Sequence, residues 1–279
     1  MGLRSLSRKR RRGGRAVRAS CALAALAALA LLGNASPDTS AWRPLFNGHD
    51  LDGWVAKINH HPLGDNAHGT FVADDGILHV RYDGYRGFFD EFAHLVYRQP
   101  FSSYRLRFDY RFVGVDTPGG PPWSKRNSGV MIYGQAPETI GRDQPFPISI
   151  EIQLLNGEGA DQRTTGNICT PGTNVEIGGQ RATSHCVLSV SRPYAGEDWV
   201  HVEIEVRSGG RTVVEVDGVE VVRFDKPELD PTDLTAMPLY LAGGARSVAL
   251  TSGYISLQGE GHPIDFRRIE ISELAGGAP

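Results

Sequence analysis

The chain has 279 residues and carries 29 Lys and Arg against 32 Asp and Glu, a formal net charge of −3. Eight of the basic residues lie between Arg4 and Arg18 and every acid lies beyond residue 35, so the remainder holds 21 basic against 32 acidic groups, a net of −11. That balance argues against nucleic acid and anionic membranes, which are held by basic patches, and leaves a neutral partner.

In chain order, the basic start runs into "ASCALAALAALALLG". The apolar run from Ala19 to Leu32 is short for a membrane span, and Gly33 and Ala35 are small residues at a cleavage position, so residues 1–35 read as a secretory signal peptide. A single transmembrane anchor is the alternative. A signal peptide implies a secreted or periplasmic protein with no membrane attachment after its removal; no clean twin-arginine motif follows, which leaves the export route open. Residues 36–279 show no internal repeat and no linker and are expected to form one domain.

Short alternating or β-branched runs then recur between turn residues: "GILHVRY" (76 to 82), "YRLRFDYRFVGV" (104 to 115), "SGVMIYG" (128 to 134), "WVHVEIEVRSG" (199 to 209), "RTVVEVDGVEVVRF" (211 to 224), "LYLAG" (239 to 243), "GYISLQG" (253 to 259) and "IDFRRIEIS" (264 to 272). The pattern is all-β and predicts two packed antiparallel sheets, with a hairpin at Asp217-Gly218. "TPGGPPWSKRN" (117 to 127) is a loop, and its Trp123 is a candidate lid over a sugar ring, whereas Trp54 in "LDGW" reads as core. Cys169 and Cys186 are the two cysteines beyond the leader and flank a turn-rich segment; in an oxidising compartment they are expected to form a disulfide, the alternative being two buried thiols. With only His185 nearby, a zinc site there lacks ligands.

In "FPISIEIQLLNGEG" (146 to 159), Ile148, Ile150, Ile152 and Leu154 point one way and Ser149, Glu151 and Gln153 the other. "GYISLQGEGH" repeats the chemistry: Ile255 and Leu257 alternate with Ser256, Gln258, Glu260 and His262. Two such strands make a shared polar surface, although a solvated sheet face has the same periodicity. An amide that donates and accepts suits a sugar hydroxyl, and a carboxylate suits proton transfer.

"LFNGHDLDGW" (45 to 54), "NSGVMIYG" (127 to 134), "ISIEIQLL" (148 to 155), "GNICTPGTNV" (166 to 175) and "GYISLQGEGHPIDFRRIEI" (253 to 271) resemble, in order and spacing, the 3-keto-disaccharide hydrolase domain family from about Trp42 to Glu273. The resemblance implies a concanavalin A-like (jelly-roll) antiparallel β-sandwich in a secreted bacterial protein acting on 3-keto-glycosides. It also places Asn127, Glu151, Gln153, Gln258 and Arg267 at the family's recurring polar positions. Many relatives read Leu-Gln-x-His-Gly where this chain has "LQGEG", so Glu260 stands where histidine is common, with His262 as a substitute imidazole two residues on.

A ketone at C3 of a sugar acidifies the C2 hydrogen, so a base removes it, the aglycone leaves C1 by elimination, and water adds back. The expected roles are Glu151 as base, Glu260 or His262 as acid, and Asn127, Gln153 and Gln258 on hydroxyls or the developing oxyanion, with Arg267 and Trp123 as further substrate contacts. A divalent metal is the alternative stabiliser of the enolate. Direct retaining hydrolysis is the weaker alternative, because in "EIQLLN" Gln153 and Asn156 stand where a laminarinase-type strand carries its other carboxylates. The rival reading is a glycan-binding module without catalysis.

Overall fold

The computed structural model describes residues 41–157, 162–245 and 247–275. The leader assigned to residues 1–35 lies outside the described residues. Two antiparallel sheets account for the strands. The ten-stranded sheet runs, edge to edge, through Gln180–Arg181, Thr173–Ile177, Val219–Leu229, Thr212–Val216, Val200–Val206, Tyr104–Phe112, Ile264–Glu273, Ile77–Val80 and Phe71–Asp74, with Arg43–Pro44 also on Ile264–Glu273. The seven-stranded sheet runs through Cys186–Val187, Asn167–Cys169, Ile150–Leu155, Asn127–Gly134, Tyr254–Gly259, Ala93–Tyr97 and Trp54–Ile58.

Alternation explains the first sheet. In Val200–Val206 the three valines and Ile204 are buried while His201, Glu203 and Glu205 are partly exposed, the pattern of a strand with one solvated face. Its inward residues join those of the other sheet in one core: Leu106, Phe108, Phe112 and Phe266 meet Val130, Ile132, Ile150, Ile152 and Leu257. The seven-stranded sheet departs from that pattern. All eight residues of Asn127–Gly134 and all five of Trp54–Ile58 are buried, so its outer face is covered as well.

The all-β antiparallel sandwich expected from the sequence is the architecture observed, and Trp54 is core as expected. Asp217 and Gly218 both take positive φ (50° and 75°) at the tip joining Val216 to Val219, as a two-residue hairpin requires. One expected strand is a helix: "LYLAG" falls in Met237–Ala242. Asp233 accepts hydrogen bonds from the backbone N–H groups of Thr235 and Ala236, Pro238 is in the first turn, and the Gly243 N–H donates to Leu239 O. The Asp233 turn that leads into the helix, a helix-compatible proline and the backbone bond at Gly243 outweigh an apolar run too short to show a period. Among the described residues no helix is long and apolar enough to cross a membrane.

Cys169 and Cys186 are register partners on neighbouring strands and are joined by a disulfide, closing the segment between them. Replacing both by serine should lower stability by roughly 3 kcal/mol through the freedom restored to the unfolded chain. Urea unfolding of the oxidised parent and the double variant checks this, and coincident midpoints would show that the bridge contributes nothing.

Candidate active site

The covered face of the seven-stranded sheet holds the polar residues picked out by alternation. Ile150, Ile152 and Leu154 face the core, so Glu151 and Gln153 face outward; Ile255 and Leu257 do the same for Gln258. The strand Asn127–Gly134 lies between these two, and it places Gly129 opposite Gln153. A Cβ at Gly129 would stand 2.7 Å from both Cγ and Oε1 of Glu151 and 3.0 Å from Oε1 of Gln258. The two flanking side chains therefore lean over the glycine and meet there. Gly129 is required for space, since its φ is not positive.

Above them opens a cleft of about 750 Å³, lined among others by Trp123, Asn127, Phe146, Glu151, Gln153 and Glu260. The disulfide borders it, because Cys169 is the register partner of Glu151. Trp123, 52% exposed, stands at the rim with its ring parallel to Phe92 at 5.8 Å, and Phe92 in turn packs on Phe146 at 4.7 Å. Gln153 accepts a hydrogen bond from Asn167 Nδ2 (3.1 Å), and Asn127 donates through Nδ2 to Trp123 O (3.3 Å).

Several buried polar atoms here lack any hydrogen-bond partner in the protein: Glu151 Oε1, Glu260 Oε2, Asn127 Oδ1 and both amide atoms of Gln258. Leaving such a group unpaired costs about 1–3 kcal/mol; Glu151, Glu260 and Asn127 line the cleft, where a ligand would complete their bonding, and Gln258 lies beside Glu151 over Gly129. Burial pushes the Glu151 carboxyl up to about 8. Burial also raises Glu260 well above its ordinary value, and the negative charge of Glu151 raises it further. Both carboxyls are thus held towards their protonated forms, and a charge on Glu151 keeps the proton on Glu260.

Two further residues of this face escaped sequence reasoning. His94 is the register partner of Gln258 and Lys57 that of His94, both buried. Burial and the nearby Lys57 charge push His94 down to about 3, so its ring is neutral, and its Nε2 has no partner. Lys57 Nζ donates to the carbonyls of Ile58 and Arg142 at 3.0 Å, and burial lowers its pKa. Their signal was present in "WVAKI" and "AHLVY", where a single ionisable residue interrupts an apolar run.

Two expected site residues lie elsewhere. Arg267 belongs to the ten-stranded sheet and points to its outer face, where Nε donates to Asp109 (3.0 Å) and the guanidinium lies 4.0 Å from the Trp199 ring centre. Its neighbour Phe266 takes the inward position, so alternation sends Arg267 away from the cleft. His262 is buried beside Phe112, hydrogen-bonded through Nδ1 to Asp116, and does not line the cleft; burial lowers its pKa and Asp116 opposes that shift. As for a metal, the grouping of three ligand-type side chains found among the described residues is His61, His68 and Glu91, none of which lines the cleft.

A β-sandwich whose covered sheet face holds two carboxyls and three amides beside an exposed tryptophan ring has the build of a carbohydrate site. The chain belongs to the 3-keto-alpha-glucoside-1,2-lyase-like domain family, which it matches over residues 41–272, and its function is accordingly a carbohydrate-related one. No curated protein matches it. Among solved structures it is similar to a provisionally assigned glycosyl hydrolase of Parabacteroides distasonis ATCC 8503 (19% identity, 84% of this chain and 100% of that one, TM-score 0.49). It is also similar to a Bacillus subtilis protein of unknown function with a galectin-like fold (11%, 84% and 94%, 0.48) and to the carbohydrate-binding module CBM66 of Bacillus subtilis (10%, 79% and 96%, 0.45). At such scores these likenesses do not reach a function.

Two measurements test the geometry. With its folded pKa raised from 4.5 to about 8, Glu151 keeps a proton that the unfolded chain has released, so its contribution to stability is full below about pH 4.5 and is lost as pH rises towards about 8. The slope is at most about 1.4 kcal/mol per pH unit for one group. Glu151→Gln should flatten the urea midpoint against pH across that window and exceed the parent in stability at its upper end; parallel profiles would mean a solvated carboxylate. Gly129→Ala should cost about 1–3 kcal/mol, because the new methyl displaces both Glu151 and Gln258, and an unchanged melting temperature would contradict the close approach.

Proposed function

We propose that the protein is an exported enzyme that cleaves 3-keto-glycosides by elimination across C1 and C2. The observation that carries this reading is the buried pair Glu151 and Glu260, with the acid and the base set apart by their surroundings and opening on one cleft. Ionised Glu151 takes the C2 proton that the C3 ketone has acidified. The electron pair passes to the C3 oxygen as an enolate, which the Gln258 and Asn127 amides are placed to stabilise, and then returns to form the C1–C2 double bond as the C1 oxygen leaves. Protonated Glu260 gives its proton to that leaving oxygen, so the products are an unsaturated 3-keto sugar and a free alcohol. Release at this stage is a lyase reaction; addition of water across the double bond completes hydrolysis. Trp123, backed by the buried Phe92 ring, offers an apolar face at the rim for a sugar, and Gln153 a hydroxyl contact.

A module that merely holds a glycan would use the same amides and rings but would gain nothing from two carboxyls kept out of water, whose desolvation is costly. The sequence's basic leader supports export, and amino-terminal sequencing of the secreted form would reveal cleavage near residue 35.

The purified protein should cleave 3-keto-trehalose or 3-keto-lactose and leave the unoxidised parents intact, with deuterium from solvent appearing at C2 of recovered substrate. Glu151→Gln should reduce turnover by about 10²–10⁴-fold with the fold intact, whereas Gln153→Ala should mainly raise KM. The rate should rise with pH as Glu151 ionises towards about 8. Equal cleavage of keto and parent sugars would eliminate this mechanism, and retention of a glycan without turnover would leave a binding module.

A further inference from the structure

Between the strands Trp54–Ile58 and Ala93–Tyr97 the chain gathers His61, His68 and Glu91 so that one ligand-type atom from each lies within 4.8 Å of the other two. His61 Nε2 is 3.4 Å from Glu91 Oε1, and His68 Nε2 is 3.2 Å from Glu91 Oε2. A charge-assisted bond between imidazolium and carboxylate closes to about 2.7–2.9 Å; the His61 contact is a long hydrogen bond, and the His68 contact is longer than that range as well. Glu91 Oε2 is buried and accepts no hydrogen bond, although the His68 ring stands beside it. Two ligand atoms on one tetrahedral ion, at bonds of about 2.0–2.1 Å, are roughly 3.3 Å apart, which is the spacing found between the carboxylate and each ring.

The rings are also oriented for that task. His61 Nδ1 lies 3.1 Å from Asp65 Oδ2, and with the proton on Nδ1 the ring donates outward to Asp65 and turns its Nε2 lone pair to the side of Glu91, the arrangement a metal-bound imidazole requires. The two imidazoles meet edge to face, with ring centres 5.9 Å apart, and His68 is held against Tyr85 at 4.5 Å on a backbone of positive φ (57°).

We propose that His61 Nε2, His68 Nε2 and the Glu91 carboxylate bind a divalent transition-metal ion of the zinc class, with Asp65 orienting His61 and the fourth position left to water. The role is structural. Glu91 immediately precedes Phe92, which stacks on Trp123 and packs on Phe146, so the ion anchors the segment that supports the aromatic wall of the cleft. The site stands on its own residues and does not depend on the reaction proposed for Glu151 and Glu260.

The test uses the whole chain without an affinity tag, stripped of metal and titrated with Co²⁺, whose tetrahedral complexes absorb visibly. One equivalent should bind and be displaced by Zn²⁺. The absorbance should vanish in the His61→Ala/His68→Ala double variant and in Glu91→Gln, which keeps the shape of the side chain. Asp65→Asn, a change at an exposed residue, should weaken binding about 10–100-fold at unchanged stoichiometry, and Glu151→Gln should bind as the parent does. Circular dichroism of each variant in chelator shows whether the fold is kept. Absence of tetrahedral absorbance in the parent, or its persistence in the double variant, would overturn the proposal.

Discussion

Two carboxyls held out of water, each within reach of the other's charge, impose the central constraint on this fold. An ionised carboxylate in a low-dielectric site costs several kcal/mol, and burial accordingly raises both Glu260 and Glu151. Around the pair the same economy of charge holds. His94 is neutral, and the ammonium of Lys57 is satisfied by two main-chain carbonyls. The sheet face that carries these groups is therefore roofed by loops bearing Trp123 and Phe146 instead of standing open to solvent.

A face arranged in this way contributes little to stability, and the other layers must supply it. The inter-sheet core does so with large side chains such as Phe108, Phe112, Phe224 and Phe266, each worth about 1.5–3 kcal/mol when fully buried. The ten-stranded sheet adds cross-strand ion pairs on its solvated side: Arg105 with Glu205, Arg107 with Glu270, and Arg111 with Asp265. Arg111 and Arg267 both lie over Trp199 there, and Asp109 accepts from Arg267 and faces His201. The outer face of the ten-stranded sheet thus carries a network of paired charges, whereas the covered face of the other sheet carries the unpartnered Glu151 and Gln258.

That separation explains what the sequence disclosed. Period-two alternation correctly turned Ile150, Ile152, Ile255 and Leu257 inward and left Glu151 and Gln258 on a common outer face, because alternation is a property of one strand. Whether that face is solvated or covered depends on distant loops and leaves no mark in the strand itself. The partnership of His94 with Gln258 and Lys57 depends on register across three strands that are far apart in the chain, which no local pattern encodes. The resemblance alone places Arg267 at the site; which sheet its strand joins is a matter of topology, and the answer sends it to the opposite surface.

The acid at position 260 gives this site its particular electrostatics. In the resemblance drawn from the sequence, histidine is common where this chain has Glu260, and a protonated imidazole there would favour the ionised form of Glu151 and lower its pKa. A carboxyl does the reverse: while Glu260 keeps its proton it is a neutral hydrogen-bond donor, and if it ionised it would oppose the charge on Glu151. With a carboxyl at position 260 the pair is set by desolvation, and a charge on Glu151 holds the proton on Glu260, effects that the covered sheet face is built to preserve.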